Sequence, residues 1–142
     1  MPIIPDSLSA KISRAQGCLL GQLAGDALGS LVEFQSADEI RRTYPNSVRE
    51  LADGGTWNTI AGQPTDDSEM ALMLARMLVE HRRYDADQAR QAYAFWLNSG
   101  PFDCGSTVRS GLHGQPNLTS QANGAMMRIS PLGIFGANYD LQ

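Results

Sequence analysis

A chain of 142 residues is one domain's worth of sequence; with 42% hydrophobic and 18% charged residues it has enough apolar material for a core and too little charge for global disorder. Fifteen acidic against eleven basic side chains leave a net charge of −4, which argues against a nucleic-acid partner, and two cysteines, Cys18 and Cys104, exclude a disulfide framework or an all-cysteine zinc site. No apolar run reaches the roughly 18 residues of a membrane span, and the start MPIIPDSLSAK lacks the features of a signal peptide, so a cytoplasmic protein that does not enter a membrane is expected.

The first long element is predicted over about 8–34, where Leu8, Ile12, Ala15, Leu19 and Leu23 recur at helical spacing. Gly17, Gly21, Gly25 and Gly29 form a stripe on this helix. Each costs about 1 kcal/mol relative to Ala, so the stripe serves either close helix packing or the wall of a site. Asp26 and Glu33, seven residues apart, would share one helix face. Ser36 and Glu39 read as a capping box for a short helix to about Tyr44, stopped by Pro45. Residues 45–64, with Gly54, Gly55, Gly62 and Pro64, read as a long loop, and loops of that length are usually functional or disordered.

Thr65 is predicted to cap the next helix, whose Met70, Met73, Leu74, Met77, Leu78 and His81 make an apolar face of the kind found in cores. His81 and the arginines after it read as cations at that helix's C-terminus. Asp85 and Gln88 start another helix with Ala89, Ala92, Tyr93, Trp96 and Leu97 inward, ended by Ser99-Gly100-Pro101. A short helix is expected within 105–113, a turn at Ala122-Asn123-Gly124, and a last apolar element over about 125–135 kinked or split by Pro131. No strand-like alternation occurs, so the fold class is all-α.

Three segments could carry chemistry. Thr65-Asp66-Asp67, with Glu69 just after, is either a helix start with acids that suit the macrodipole or a hard-cation site of oxygen ligands. Such a cation wants about six oxygens, more than the triplet supplies, and beyond Asp103 the only acid is Asp140, so Asp26 and Glu33 are the remaining candidates. Asp103, before Cys104-Gly105-Ser106-Thr107, either caps the following helix or holds a cationic or hydroxylated ligand. Asn123-Gly124-Ala125-Met126 could expose amides to a phosphate, although no P-loop pattern is present. His113 reads as an exposed loop residue, and neither cysteine has a histidine partner suggesting a thiol enzyme.

Together GQLAGDALGSLVEF (21–34), GGTWNTIAGQPTDDSEMAL (54–72), SGPFDCGSTVRSGL (99–112) and ANGAMMRISPLGIFG (122–136) resemble the ADP-ribosylglycohydrolases, and the arginine-specific bacterial branch in particular. The resemblance implies an orthogonal all-α bundle, two Mg²⁺ or Mn²⁺ ions, and hydrolysis of the glycosidic bond between ADP-ribose and a protein side chain, with arginine the expected linkage. On that resemblance Thr65, Asp66 and Asp67 match the metal-binding residues. Glu33 matches the acid facing the ribose, and Asp103 the aspartate at the scissile end, the two taken as catalytic. Gly105, Ser106 and Thr107 match a stretch along the ribose and phosphates; Asn123, Gly124, Ala125 and Met126 match the diphosphate loop.

Family members run to about twice this length, near the upper size of a single domain. Their later half carries a histidine region and an Asp-x-Asp-Thr metal cluster. Residues 1–142 therefore correspond to an N-terminal portion with an incomplete ligand set, and uncovered helix faces are expected to call for a homodimer or a complementing C-terminal half. The alternative function is a non-catalytic module that binds ADP-ribose or a protein through half a cleft.

Overall fold

The computed structural model describes residues 7–137; Asp140 lies outside them. Six α-helices follow in order: α1 Leu8–Gly29, α2 Ala37–Thr43, α3 Asp66–His81, α4 Ala86–Asn98, α5 Ser106–Leu112 and α6 Ser130–Gly136. A 3₁₀ helix, Asn123–Arg128, precedes α6. Among the described residues the extended pairing is one isolated bridge, Gly54 with Thr59. No helix described is long and apolar enough to cross a membrane.

The core forms around α3. Met70, Leu74, Met77 and Leu78 lie one helical turn apart on one face and are buried against Ala89, Tyr93 and Trp96 of α4 and Val108 of α5. Met127, Leu132 and Phe135 pack on the same cluster from the 3₁₀ helix and α6. Polar ties fasten these layers. The Trp96 indole donates to Glu69 at 2.6 Å, so Glu69 belongs to the α3–α4 contact and not to the acids beside it. The Arg128 guanidinium lies 4.5 Å from the Tyr93 ring centre and donates to Met70 Sδ, an arrangement worth about 1–2 kcal/mol when partly desolvated.

The local starts and stops follow the side chains. Ser36 and Glu39 make a complete capping box, and Asp85 accepts from the Asp87 and Gln88 amides. Pro131 stands in the first turn of α6, where its missing N–H costs nothing, so the last apolar element is split there. The expected turn at 122–124 is instead the start of the 3₁₀ helix, with Gly124 buried against α5. A Cβ at Gly124 would lie 2.8 Å from Val108 Cγ2.

The predicted first element is corrected at its end. α1 stops at Gly29, and 30–34 form a turn in which Val32 donates to the Gly29 carbonyl and Phe34 adopts a left-handed φ of 61°. Glu33 therefore sits in that turn and does not share a helix face with Asp26. The segment 45–64 is a loop, but its middle is built tightly. Gly54 and Thr59 exchange two backbone hydrogen bonds, and the tip rests on the 30–34 turn. Gly55 has φ +71°, and a Cβ there would meet Leu31 Cα and the Ser30 carbonyl oxygen at 2.8 Å.

α1 spans about 33 Å at 1.5 Å per residue, yet Ala27 is its single buried residue. Nothing lies within 4 Å of a Cβ built on Gly17, Gly21, Gly25 or Gly29. Between its first half and α6 runs an apolar groove of about 1150 Å³, lined by Leu8, Ile12, Ala15, Cys18, Ile129 and Leu132 among others. Its last turns are held by two polar side chains. Gln22 donates to the Asp67 carbonyl (3.1 Å) and the Met127 carbonyl (2.8 Å) and accepts from the Ser130 hydroxyl. Asp26 accepts from the Thr65 amide (3.0 Å), the Thr65 hydroxyl (2.7 Å) and the Ser68 amide (3.1 Å). Thr65 occupies the N-cap position of α3 but makes no side-chain cap; the Asp26 carboxylate performs that task from another helix.

Two substitutions test these ties by chemical denaturation. Asp26→Ala should destabilise the chain by about 2–3 kcal/mol, since charge-assisted hydrogen bonds are lost at a helix start. Asp26→Asn should cost less, because one acceptor oxygen remains. Gly55→Ala should cost at least about 2 kcal/mol, as a strained φ combines with backbone overlap.

Candidate active site

α3 begins with Thr65, Asp66 and Asp67 packed against the end of α1. The Thr65 hydroxyl directs its hydrogen to Asp26, which turns its lone pairs elsewhere. Asp66 is buried, and its Oδ2 accepts from the Gly105 amide at 3.1 Å. This bond pins the segment carrying Asp103 to the α3 start. Gly105 is thereby the N-cap position of α5, and no side-chain cap is made there, so Asp103 is not the cap of that helix.

Glu33 reaches the same region from the turn after α1. Its carboxylate Oε2 accepts from the Trp57 indole at 2.7 Å, and its carbonyl accepts from the Thr56 hydroxyl. The Trp57 ring meets Phe34 edge-on at 6.3 Å and Phe102 at 5.9 Å between centroids. Phe34 follows Glu33 and Phe102 precedes Asp103, so one indole links the two segments that bear these acids.

The carboxyls form one electrostatic group. Burial pushes the Asp67 carboxyl up to about 6, and the carboxylates of Asp26, Asp66 and Glu33 push the same way. Burial pushes Asp103 up to about 7, helped by Asp66, Glu33, Asp67 and Asp26. The charges acting on both are all negative, and such crowding invites a cation. The donors are hard oxygens, the chemistry of Mg²⁺ or Mn²⁺ rather than zinc. Among the described residues, however, no three Asp, Glu, His or Cys side chains are drawn together tightly enough to enclose a metal ion. The donor set fits such an ion in kind and falls short in number.

The remaining candidates divide. Thr107, Gly124 and Ala125 share the wall of a cavity of about 400 Å³ between α4, α5 and the 3₁₀ helix, together with Arg90 and Arg128. The Thr107 hydroxyl is bonded to Ser120 at 2.9 Å. Ser106, Asn123 and Met126 are exposed outside that cavity. The Gly105 amide is taken by Asp66 and is not offered to a phosphate. Sequence reasoning missed Trp57, Phe34 and Phe102. A tryptophan in a glycine-flanked loop was the available signal, since a large ring there must find a packing partner. His81 ends α3 and His113 is an exposed C-cap, both as expected, and both cysteines are free.

Comparison with known proteins identifies the family. The family model described as ADP-ribosylglycohydrolase matches residues 7–141. An ADP-ribosyl-[dinitrogen reductase] glycohydrolase from Rhodospirillum rubrum is 38% identical over 140 residues, covering 91% of this chain and 47% of the relative. The ADP-ribosylarginine hydrolase Tri1 of Pseudomonas putida is 32% identical, covering 87% of this chain and 36% of its own length. A solved ADP-ribosylglycohydrolase-related protein complex superposes with a TM-score of 0.72 at 32% identity, over 88% of this chain and 43% of that one. The chain thus spans less than half the length of these relatives. With its helical fold and the acids gathered at the start of α3, the chain belongs to the ADP-ribosylglycohydrolase family.

Proposed function

We propose that this chain supplies one part of a site that hydrolyses the N-glycosidic bond between ADP-ribose and an arginine side chain with the help of divalent cations. The observation that carries this reading is the group of carboxyls at the α3 start, with Asp66 tied through the Gly105 amide to the segment of Asp103, in a chain whose relatives include ADP-ribosylarginine hydrolases. In this reading Thr65, Asp66 and Asp67 hold Mg²⁺ or Mn²⁺. A bound cation of this kind polarises hydroxyl oxygens and makes water a better nucleophile. Asp103, whose partly buried carboxyl lies on the segment that Gly105 ties to Asp66, offers a proton to the departing guanidine nitrogen. Glu33, held by Trp57, positions the ribose or the attacking water. Gly105, Ser106 and Thr107, with Asn123, Gly124, Ala125 and Met126, lie along the ADP-ribose. Arg90 and Arg128 give the nearby cavity the charge that a diphosphate needs.

The apolar groove and the bare face of α1 belong to the same reading. A 22-residue helix with one buried side chain draws little from packing. A later half like that of the longer relatives, or a second copy of this chain, would cover that face. A half-module that binds without turnover is the second reading, favoured by the shortage of metal donors. A cytoplasmic setting accords with the two free cysteines.

The test is release of ADP-ribose from an ADP-ribosylarginine peptide with Mg²⁺ or Mn²⁺. The chain alone should bind ADP-ribose weakly and turn over marginally. Addition of a polypeptide carrying the later part of a family member should raise the rate, and Asp103→Asn should lower it by about 10²-fold or more. Failure of the chain to bind either ADP-ribose or Mn²⁺ in calorimetry would refute the reading.

The carboxyl shifts give a second check. Asp67 and Asp103 have raised folded values, so they bind more protons folded than unfolded. Their stabilisation is full below about pH 4 and disappears as pH rises through about 6 and 7. Tm should therefore fall between pH 5 and pH 8. Asp103→Asn should flatten the fall, and Mg²⁺ or Mn²⁺ should raise Tm at pH 8 but not at pH 5.

A further inference from the structure

Gln22 and Asp26 stand one turn apart on the face of α1 that meets the start of α3. Asp26 serves that start alone, whereas the half-buried Gln22 reaches two segments at once. Its Nε2 carries two hydrogens, and both are spent: one on the Asp67 carbonyl at 3.1 Å, the other on the Met127 carbonyl at 2.8 Å. Its Oε1 accepts from the Ser130 hydroxyl, and that bond fixes which way round the amide sits. Asp67 lies in the first turn of α3, and Met127 lies in the 3₁₀ helix Asn123–Arg128.

The 3₁₀ helix needs such a tie. Six residues are a long run for that geometry, and no side chain caps its start. Four residues beyond Met127 stands Pro131, which has no N–H to return, so the Met127 carbonyl takes a donor from α1. Toward α5 the helix abuts Val108 at Gly124, where there is no room for a Cβ. Toward α3 its contacts run through Met127, which packs on the cluster of Met70 and Met77, and through Arg128 on the Met70 sulfur. Methionine side chains refit easily, so these contacts hold the two elements together without fixing where one lies along the other. The hydrogen bonds of Gln22 are directional and fix that register.

We propose that Gln22 is a positioning residue of the site: from α1, its amide sets the spacing between the acidic first turn of α3 and the 3₁₀ helix, so that one ADP-ribose can meet both. Gln22 touches no ligand itself and acts through the Asp67 and Met127 backbones. The proposal rests on the reading above, in which the α3 start holds the cations and Asn123 to Met126 lie along the diphosphate. An amide that only satisfied two carbonyls would add stability to every function of the chain alike. A spacer acts differently, because only a ligand long enough to touch both segments senses the distance between them.

Calorimetric titrations of the 142-residue chain compare three probes: Mn²⁺ alone, inorganic diphosphate alone, and ADP-ribose with Mn²⁺ at saturation. Gln22→Met keeps the length and helix propensity of the side chain and removes its three hydrogen bonds. Mn²⁺ and diphosphate each meet one segment, and each should bind this variant within about twofold of the unchanged chain; ADP-ribose meets both and should bind at least about tenfold more weakly. Ser130→Ala removes the bond that orients the amide and alters neither segment. It should give the same pattern at about threefold, and it carries the comparison if Gln22→Met does not fold. A loss shared evenly by the three probes, or unchanged ADP-ribose binding, overturns the proposal. If the variants behave as described while the complemented chain releases no ADP-ribose from the arginine peptide, the hydrolase reading falls and the role of Gln22 stands. If ADP-ribose is released while the variants bind it like the unchanged chain, the role of Gln22 alone falls. A chain that binds Mn²⁺ and diphosphate but not ADP-ribose overturns both.

Discussion

The carboxylate of Asp26 holds the start of α3 from across the fold. A helix start leaves several amides without partners, and the usual remedy is a side chain one residue away. Here the remedy is 39 and 42 residues distant in sequence, at Thr65 and Ser68. That arrangement frees Thr65 from capping, so its hydroxyl can be oriented by Asp26 instead. It also fixes where the first turn of α3 faces, and with it the directions of Asp66 and Asp67. Much of the site geometry follows from this one contact, because Asp66 then anchors Gly105 and the segment of Asp103.

A second clamp works from the opposite side. The 45–64 loop has little regular structure, yet its glycines let two backbones touch where a side chain would prevent it. Through that contact the loop delivers Trp57 to Glu33 and to the two phenylalanines. The acids held in place by the two clamps repel one another. In most folds a collection of this kind would be relieved by a lysine or arginine among the carboxylates. Here Arg128 is engaged with Tyr93 and Met70 on the core side, and the charges acting on Asp67 and Asp103 are carboxylates alone. The fold therefore carries an electrostatic cost that a positive ligand would remove.

The helices were largely legible in the sequence because their signals are local. The capping box of Ser36 and Glu39, the Met70 to Leu78 stripe and the Pro131 break each depend on residues within one or two turns, and each appears in the structure. The end of α1 was not legible. Apolar spacing continues through Leu31, but the chain turns at Ser30 because Leu31 is buried under the loop that Gly55 brings in, a contact that local periodicity cannot express. The acids were legible as residue types, whereas their partners were not. Glu69 resembled a fourth ligand until Trp96 claimed it, and Asp26 resembled a second metal cluster although its oxygens serve the α3 start. The role of Trp57 likewise depends on three segments meeting, which no single stretch of sequence announces.

Gln22 carries a further consequence. Its amide uses its nitrogen on two carbonyls and its oxygen on a hydroxyl, so the α3 start, the 3₁₀ helix and α6 all attach to one planar group. A carboxylate of the same shape could not replace it, since it would present oxygens to two carbonyl acceptors. The amide also acts as a rigid link between distant surfaces. α6 lines the apolar groove, and the Asp67 carbonyl belongs to the turn that bears the acids. The Gln22 amide thus ties the wall of the groove to the acidic turn, beside the direct packing of Leu132 and Phe135 on α3.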